Sequence, residues 1–378
     1  MIEIILLCLS FIWPFGQALL ITPPESPIRI HVIDAVIIAN FFFLLLRKDF
    51  YDLFLKDKIG LGLLIFFVSI LLSLLNAFPN TDTKTLIIAT AYALRFFAYW
   101  GIYYSIRLYK YRPLHLNLAA FLFIASSFYQ YFFMPDLRFL KGVGFDDHYY
   151  RLTSFIFDPN FAGLIITLIF FYSLSQGRVA VAYLQGVVLL SALALTFSRS
   201  SYLTLTAGLL ILVALTRRWR YVFTLILLSL IVFLIPKPFG EGVNLFRVYS
   251  IFSRLDSFQH GLKLFLSQPI FGIGFNTLKQ MSDGIPQLSS GIDNSFIFVL
   301  ATTGIFGLIA FLFLLYLSFA NAKDLIGRLC LLLILFHSLF NNSFFQSSVL
   351  LAWIVIVAFP REKKLNEEIS QTDSPLYL

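Results

Sequence analysis

NSFIFVLATTGIFGLIAFLFLLYLS, residues 294–318, runs for twenty-five positions without a charged side chain. A bilayer's hydrocarbon core is about 30 Å thick, and about 20 apolar residues in an α-helix cross it. Lipid offers backbone N–H and C=O groups no partner, so such a run must satisfy them internally as a helix. The stretch reads as a membrane span, and eleven similar runs surround it. Those before it cover residues 2–20, 28–46, 59–76, 84–106, 114–133, 161–175, 179–197, 202–216 and 221–235; those after it cover 325–340 and 345–359. The expected fold class is all-α, a polytopic integral membrane protein of about twelve transmembrane helices. The alternating segments of about ten residues that mark a membrane β-barrel do not occur.

Composition agrees. Apolar residues make up 59% of the chain and charged residues 13%, with 45 Phe. Soluble domains carry about 25% charged residues. Glu3 is the first charge, so the first run lacks the basic start of a signal peptide and reads as a retained span. Cys8 and Cys330 both fall inside spans and read as small buried residues rather than a disulfide or zinc site.

The formal charge of +8 follows from topology. One alternate set of loops (47–58, 107–113, 176–178, 216–220, 320–328 and the tail from 360) carries about 16 Lys and Arg in about 55 residues. The other set (21–30, 77–84, 134–160, 198–200 and 237–293) carries about 11 in about 105 residues. The positive-inside rule places the first set and both termini in the cytoplasm, and no nucleic-acid partner is implied. Residues 1–360 form a single transmembrane domain with a periplasmic loop at 237–293, and 361–378 form a cytoplasmic tail. Within that loop, Phe252, Leu255, Phe258, Leu262, Phe265 and Leu266 alternate with polar residues at helical spacing. The pattern predicts an amphipathic helix over 252–267, lying along the interface.

Spans six, eight and ten begin at that outer face. Helix N-termini present unpaired N–H groups and a partial positive charge that suit phosphate. Each start carries cap-type residues: Asp158 and Asn160, then Ser198 to Ser201, then Asp293 to Ser295. Arg199, in a tight reversal, reads as an anion-binding group or as an arginine snorkelling to the interface. Arg254 lies on the polar side of the amphipathic helix, and Arg151 precedes the Asp158 cap. Asp293 has the position of a general base or a helix cap. Asp146, Asp147 and His148 read as a solvated loop before they read as a metal or base cluster; His260 and His337 stand alone. Arg95, in the middle of span four, requires a partner or a watery cavity, and Asp34 in span two is a possible one. The first outer loop offers only Glu25, short of the acidic motif with which some lipid-linked sugar transferases hold metal.

These landmarks resemble, in order, the O-antigen ligase and polymerase superfamily over residues 151–307: Arg151-Leu152-Thr153-Ser154-Phe155 with Asp158-Pro159-Asn160; Leu195-Thr196-Phe197-Ser198-Arg199-Ser200; Ser253-Arg254-Leu255; Pro269 to Asn276; Asp293-Asn294-Ser295 with Gly304-Ile305-Phe306-Gly307. The resemblance implies a metal-independent transferase without cofactor, in the bacterial inner membrane. Its donor is an undecaprenyl-pyrophosphate-linked glycan and its acceptor a glycan or glycolipid. Asp293, Arg199 and Arg254 would be catalytic; Arg151, Asn160, Ser198 and Asn294 would bind substrate. Ligases of this type usually carry His before the Asn; Asp293 stands there, which tilts the reading towards polymerase over lipid A-core ligase. A transporter of an anion or lipid-linked sugar is the competing class. Arg95 and Asp34 suit it, but no internal repeat is evident and the candidate residues gather on one face.

Overall fold

The computed structural model describes residues 2–23, 26, 28–109, 114–143, 145–174, 179–238, 240–278, 291–322 and 324–359. Glu25, the tail and part of the long loop lie outside them. Among the described residues fourteen α-helices follow in order. They are α1 (Ile2–Ile12), α2 (Val32–Leu45), α3 (Lys48–Lys56), α4 (Lys58–Ala77), α5 (Thr83–Tyr109), α6 (Leu114–Phe133), α7 (Pro159–Leu174), α8 (Val179–Leu195), α9 (Arg199–Thr216), α10 (Arg220–Leu234), α11 (Tyr249–Ser267), α12 (Ser295–Asn321), α13 (Leu325–His337) and α14 (Ser347–Ala358). Each expected span overlaps one helix. Among the described residues, five helical stretches are long and apolar enough to cross a membrane, and seven more apolar ones are shorter. The chain is a multi-pass helical membrane protein.

Helix α3 was not foreseen inside loop 47–58. It is amphipathic, with Phe50 buried against the ring of Tyr104 at 5.3 Å. The amphipathic helix of the long loop is present as α11, one turn longer at its start than the pattern indicated. Phe252, Leu255, Phe258 and Leu266 on it are exposed.

The centre is built from α4, α5, α12 and α14. Gly62 of α4 lets that helix approach α12, where an added Cβ would stand 2.9 Å from Leu317. Phe66, Phe96, Phe311, Phe344, Phe345 and Trp353 close a ring cluster with contacts such as 4.8 Å between Phe344 and Trp353. Edge-to-face geometry of this kind suits the ring quadrupoles.

Two departures from simple spans shape the functional face. Helix α12 is broken: Gly304 has φ 66° and ψ −166°. Into the break docks the segment after α11. Ile273 and Gly274 donate their N–H groups to the carbonyls of Ala301 and Thr302, and Ile305 donates to Pro269 O. The glycine pairs Gly272/Gly274 and Gly304/Gly307, separate on the sequence, thus belong to one joint. The second departure is length. At 1.5 Å per residue, α13 and α14 reach only about 20 Å. Neither spans a full membrane thickness, and their connecting turn has Asn341, Ser343 and Gln346 buried in it. Irregular polar backbone at membrane depth is tolerated where protein covers it or a watery cavity adjoins it. Helix α11 packs beside α12 at this level, with Gly261 against Ile292 and Ile297.

Candidate functional site

The α8–α9 turn is the floor of the site. Phe197 takes a left-handed φ of 49°, and the backbone reverses within three residues. Ser198 caps α9, accepting from Ser201 N at 3.4 Å and donating to Asn160 Oδ1 at 2.8 Å. Ser201 Oγ in turn donates to Asn160 O at 3.0 Å, so the starts of α7 and α9 meet.

Four arginines crowd this floor. Arg151 is 6% exposed, and its guanidinium donates to Thr196 O (2.9 Å) and Phe197 O (3.3 Å). Far from a solvated loop charge, it holds the turn in shape. Burial first, then the charge of Arg247, pull its pKa down to about 9. Arg247 shares the Phe197 carbonyl at 3.4 Å. Arg199 projects from the first turn of α9 and donates to Leu245 O (3.3 Å) and Ser250 Oγ (2.5 Å), joining α9 to the start of α11. Arg254, on α11, donates to Asn341 Oδ1 at 3.2 Å. Its guanidinium is partly buried, which lowers its pKa; Asp293 and Asp158 oppose that shift and the Arg199 charge adds to it. Ser250 and Arg254 are four residues apart on α11, so Arg199 and Arg254 lie on the same side of that helix.

The expected helix-terminus phosphate sites are largely filled by the chain itself. Asp158 Oδ1 accepts from Asn160 N (2.7 Å) and Phe161 N (3.2 Å). Asn294, not Asp293, caps α12, accepting from Phe296 N (2.8 Å) and Ile297 N (3.1 Å), while its Nδ2 donates to Leu339 O. Positive charge for an anion thus comes from guanidinium groups more than from N–H groups. The same assignment leaves the Asp293 carboxylate without a capping duty. Its backbone N–H donates to Ser257 Oγ (3.1 Å). Burial raises its pKa, Arg254 resists, and Asp146 adds to the rise. Burial and the Asp146 charge push Asp158 up to about 6.

His148, expected in a solvated loop, is 8% exposed. Burial and Arg151 push its pKa down to about 3, so it is neutral. Away from this face, Arg95 does pair with Asp34 (2.9 Å), and Tyr99 and His31 share the same carboxylate. Sequence reasoning did not name Arg247, Ser250 or Asn341, and it left His337 as a histidine standing alone, which instead meets Asn341 and Ser200. The signal available for Asn341 and His337 was the group of polar residues His337, Ser338, Asn341, Asn342, Ser343 and Gln346 between two apolar spans.

Fold and face together define a multi-pass membrane protein in which four arginines gather between the α8–α9 turn and a long amphipathic helix. Residues 184–312 match the family described as O-antigen ligase. The matched stretch holds Arg199, Arg254, Asp293 and the Gly304 break. Over that stretch the chain is similar to the O-antigen ligase family, which supports a glycan-transferase type of function in polysaccharide assembly. No curated protein matches the chain.

Proposed function

We propose that the protein transfers a glycan from undecaprenyl pyrophosphate to a sugar hydroxyl at the outer face of the bacterial inner membrane, in assembly of an O-antigen-like surface polysaccharide. The observation that carries this reading is that one face of α11 gathers all three: Ser250 accepts from Arg199, Arg254 stands one turn on, and Ser257 accepts from Asp293 N–H. Guanidinium forks match phosphate oxygens and stay charged when partly buried.

In the proposed step the Asp293 carboxylate takes the proton from the acceptor hydroxyl. The freed oxygen attacks the anomeric carbon, and the bond from that carbon to the diphosphate oxygen breaks. Undecaprenyl diphosphate leaves with the electron pair, stabilised by Arg199 and Arg254, and the anomeric centre inverts. A carboxylate with a raised pKa is a better base for a hydroxyl than an ordinary one. Arg151 and Arg247 shape the α8–α9 turn, while Asn160, Ser198 and Asn294 hold the three helix starts. The scheme needs neither metal nor cofactor, because permanent cations neutralise the leaving group. Asp293 in place of the ligase histidine favours a polymerase, whose acceptor is a second lipid-linked repeat, over a lipid A-core ligase.

The transporter reading is less well supported. The broken helix α12 would suit it, but the carbonyls freed at the break accept from Ile273 and Gly274 N–H groups instead of facing a coupling ion. Incubating purified protein with polyprenyl-pyrophosphate glycan is the test. Chain growth supports a polymerase and transfer only to a lipid A core supports a ligase; no transfer to either acceptor rejects the proposal.

A further inference from the structure

His337 ends α13, is fully buried, and meets both Ser200, beside Arg199 on α9, and Asn341, the partner of Arg254. Its hydrogen bonds fix its tautomer by elimination. Arg254 can only donate, so the Asn341 atom that meets it is Oδ1 (3.2 Å) and Nδ2 faces the ring; Nδ1 therefore carries the proton and donates to Ser343 Oγ (2.7 Å). Nε2 is then the acceptor, and it receives Asn341 Nδ2 (3.3 Å) and Ser200 Oγ (3.3 Å). An asparagine amide presents oxygen on one side and NH₂ on the other. With its Nδ2 held by His337, Asn341 turns Oδ1 to Arg254, which donates to it at 3.2 Å. Were the amide reversed, two donors would face each other across that gap. Through Ser200 the same ring nitrogen reaches the first turn of α9, one residue from Arg199.

We propose that His337 is a positioning residue of the diphosphate site: its imidazole orients Asn341, and through it Arg254, in one frame with the α9 start that carries Arg199. The proposal rests on the reading that these two guanidiniums share one diphosphate. His337 touches no reacting atom. It acts because Arg254 sits on an amphipathic helix whose apolar side is exposed, and the Asn341 contact ties its guanidinium to the bundle.

The test uses the full chain, polyprenyl-pyrophosphate oligosaccharide as donor, and three variants whose folding is checked by thermal melting. His337→Phe keeps a ring beside Phe161 but removes both nitrogens. His337→Gln restores an acceptor. Asn341→Asp offers Arg254 an oxygen in either orientation. The expected result is a kcat at least about tenfold lower in His337→Phe, with the donor KM within about threefold of wild type. His337→Gln should fall between the two, and Asn341→Asp added to His337→Phe should restore most of the loss. A merely structural histidine would not be rescued from position 341. Wild-type kcat in His337→Phe, or a loss that Asn341→Asp leaves untouched, overturns the proposal. If the wild type transfers nothing, the transferase reading fails, and the frame is read from phenylglyoxal modification of Arg254 in peptide maps. Faster modification in His337→Phe, slowed again by Asn341→Asp, supports the frame; equal rates in all three proteins overturn it.

Discussion

Arg254 Nη2 donates to Asn341 Oδ1 across 3.2 Å, between positions 87 residues apart in the chain. The contact binds an amphipathic helix to the α13–α14 turn, and it brings the Arg254 charge within reach of Arg199, Asp158 and Asp293. The Arg199 charge raises the cost of charge on Arg254, so a bound anion would offset part of it.

The first prediction follows from that balance. Arg199→Ala and Arg254→Ala should each lower glycan transfer by about 100-fold or more, the effect of removing one preorganised charge-stabilising donor. Membrane expression should stay at the wild-type level. Arg254→Lys should recover little, because an ammonium lacks the guanidinium fork. Quantitative transfer assays on proteoliposomes decide it, and full activity in both alanine variants removes the diphosphate site from these residues.

A second prediction concerns Asp293. Asp293→Asn should lose about 100-fold or more in kcat, and Asp293→Glu much less, if the carboxylate removes a proton. The sign of the pH effect is fixed by burial, which raises the Asp293 pKa above the usual 3.8. The basic form then appears only as pH climbs past that raised value. Transfer should therefore fail on acidification at a higher pH than an ordinary aspartate would dictate. An acid limb of kcat/KM at or below 3.8, or equal rates in the two variants, rules out Asp293 as the base.

Asp158 gives a stability test separate from chemistry. Its folded pKa is about 6, against 3.8 for the ordinary group. A carboxyl raised on folding stabilises most below its unfolded pKa, and that contribution is lost as pH rises through about 6. Asp158→Asn keeps a good cap and removes the charge. Its melting temperature should equal or exceed that of wild type at neutral pH, and the fall between about pH 4 and 6 should vanish. Asp158→Ala, which also loses the cap, should cost about 1 kcal/mol. Identical melting curves across pH in wild type and Asp158→Asn would contradict the raised pKa.

The helices were legible because hydrophobic run length reports them directly; α5 and α6 begin and end within three residues of the sequence reading. Arg199, Arg254 and Asp293 were legible as candidates because charge at a membrane face is costly and conspicuous. Three features were not. The break at Gly304 leaves no trace in hydropathy, since the run stays apolar through it. The tie between His337 and Asn341 needs the residue at which α13 stops, and sequence boundaries carry errors comparable to a helical turn. Asp293 and Asn294 are adjacent and both cap well in general, so only geometry assigns the cap to Asn294.

The Asp34–Arg95 pair yields a prediction about stability alone. The two groups stand 2.9 Å apart with Asp34 almost wholly buried, and Tyr99 and His31 complete the carboxylate's partners. Asp34→Asn leaves Arg95 with an uncompensated charge, as Arg95→Met does Asp34. Each single variant should cost about 3 kcal/mol, and the double variant less than the sum. Thermal unfolding in detergent measures both, and strictly additive losses would separate the two residues energetically.

Gly304 carries the last prediction. Its φ of 66° with ψ −166° lies in a region that only glycine occupies comfortably. An added Cβ would stand 2.2 Å from Ile270 O and 2.7 Å from Phe271 N, both backbone atoms of the docked segment, which cannot swing aside as a side chain can. Gly304→Ala should cost about 3 kcal/mol or more from strain and overlap together. Unlike the arginine changes, it should reduce the yield of folded protein as well as transfer, because it opens the joint on which α11 and α12 rest. Gly186→Ala serves as the control. That glycine lies within α8 with nothing within 4 Å of an added Cβ, so alanine there should be neutral or stabilising by up to about 1 kcal/mol. Equal yields and melting temperatures for the two variants would mean that α12 closes into a regular helix and that the segment from Pro269 to Gly274 does not dock as described.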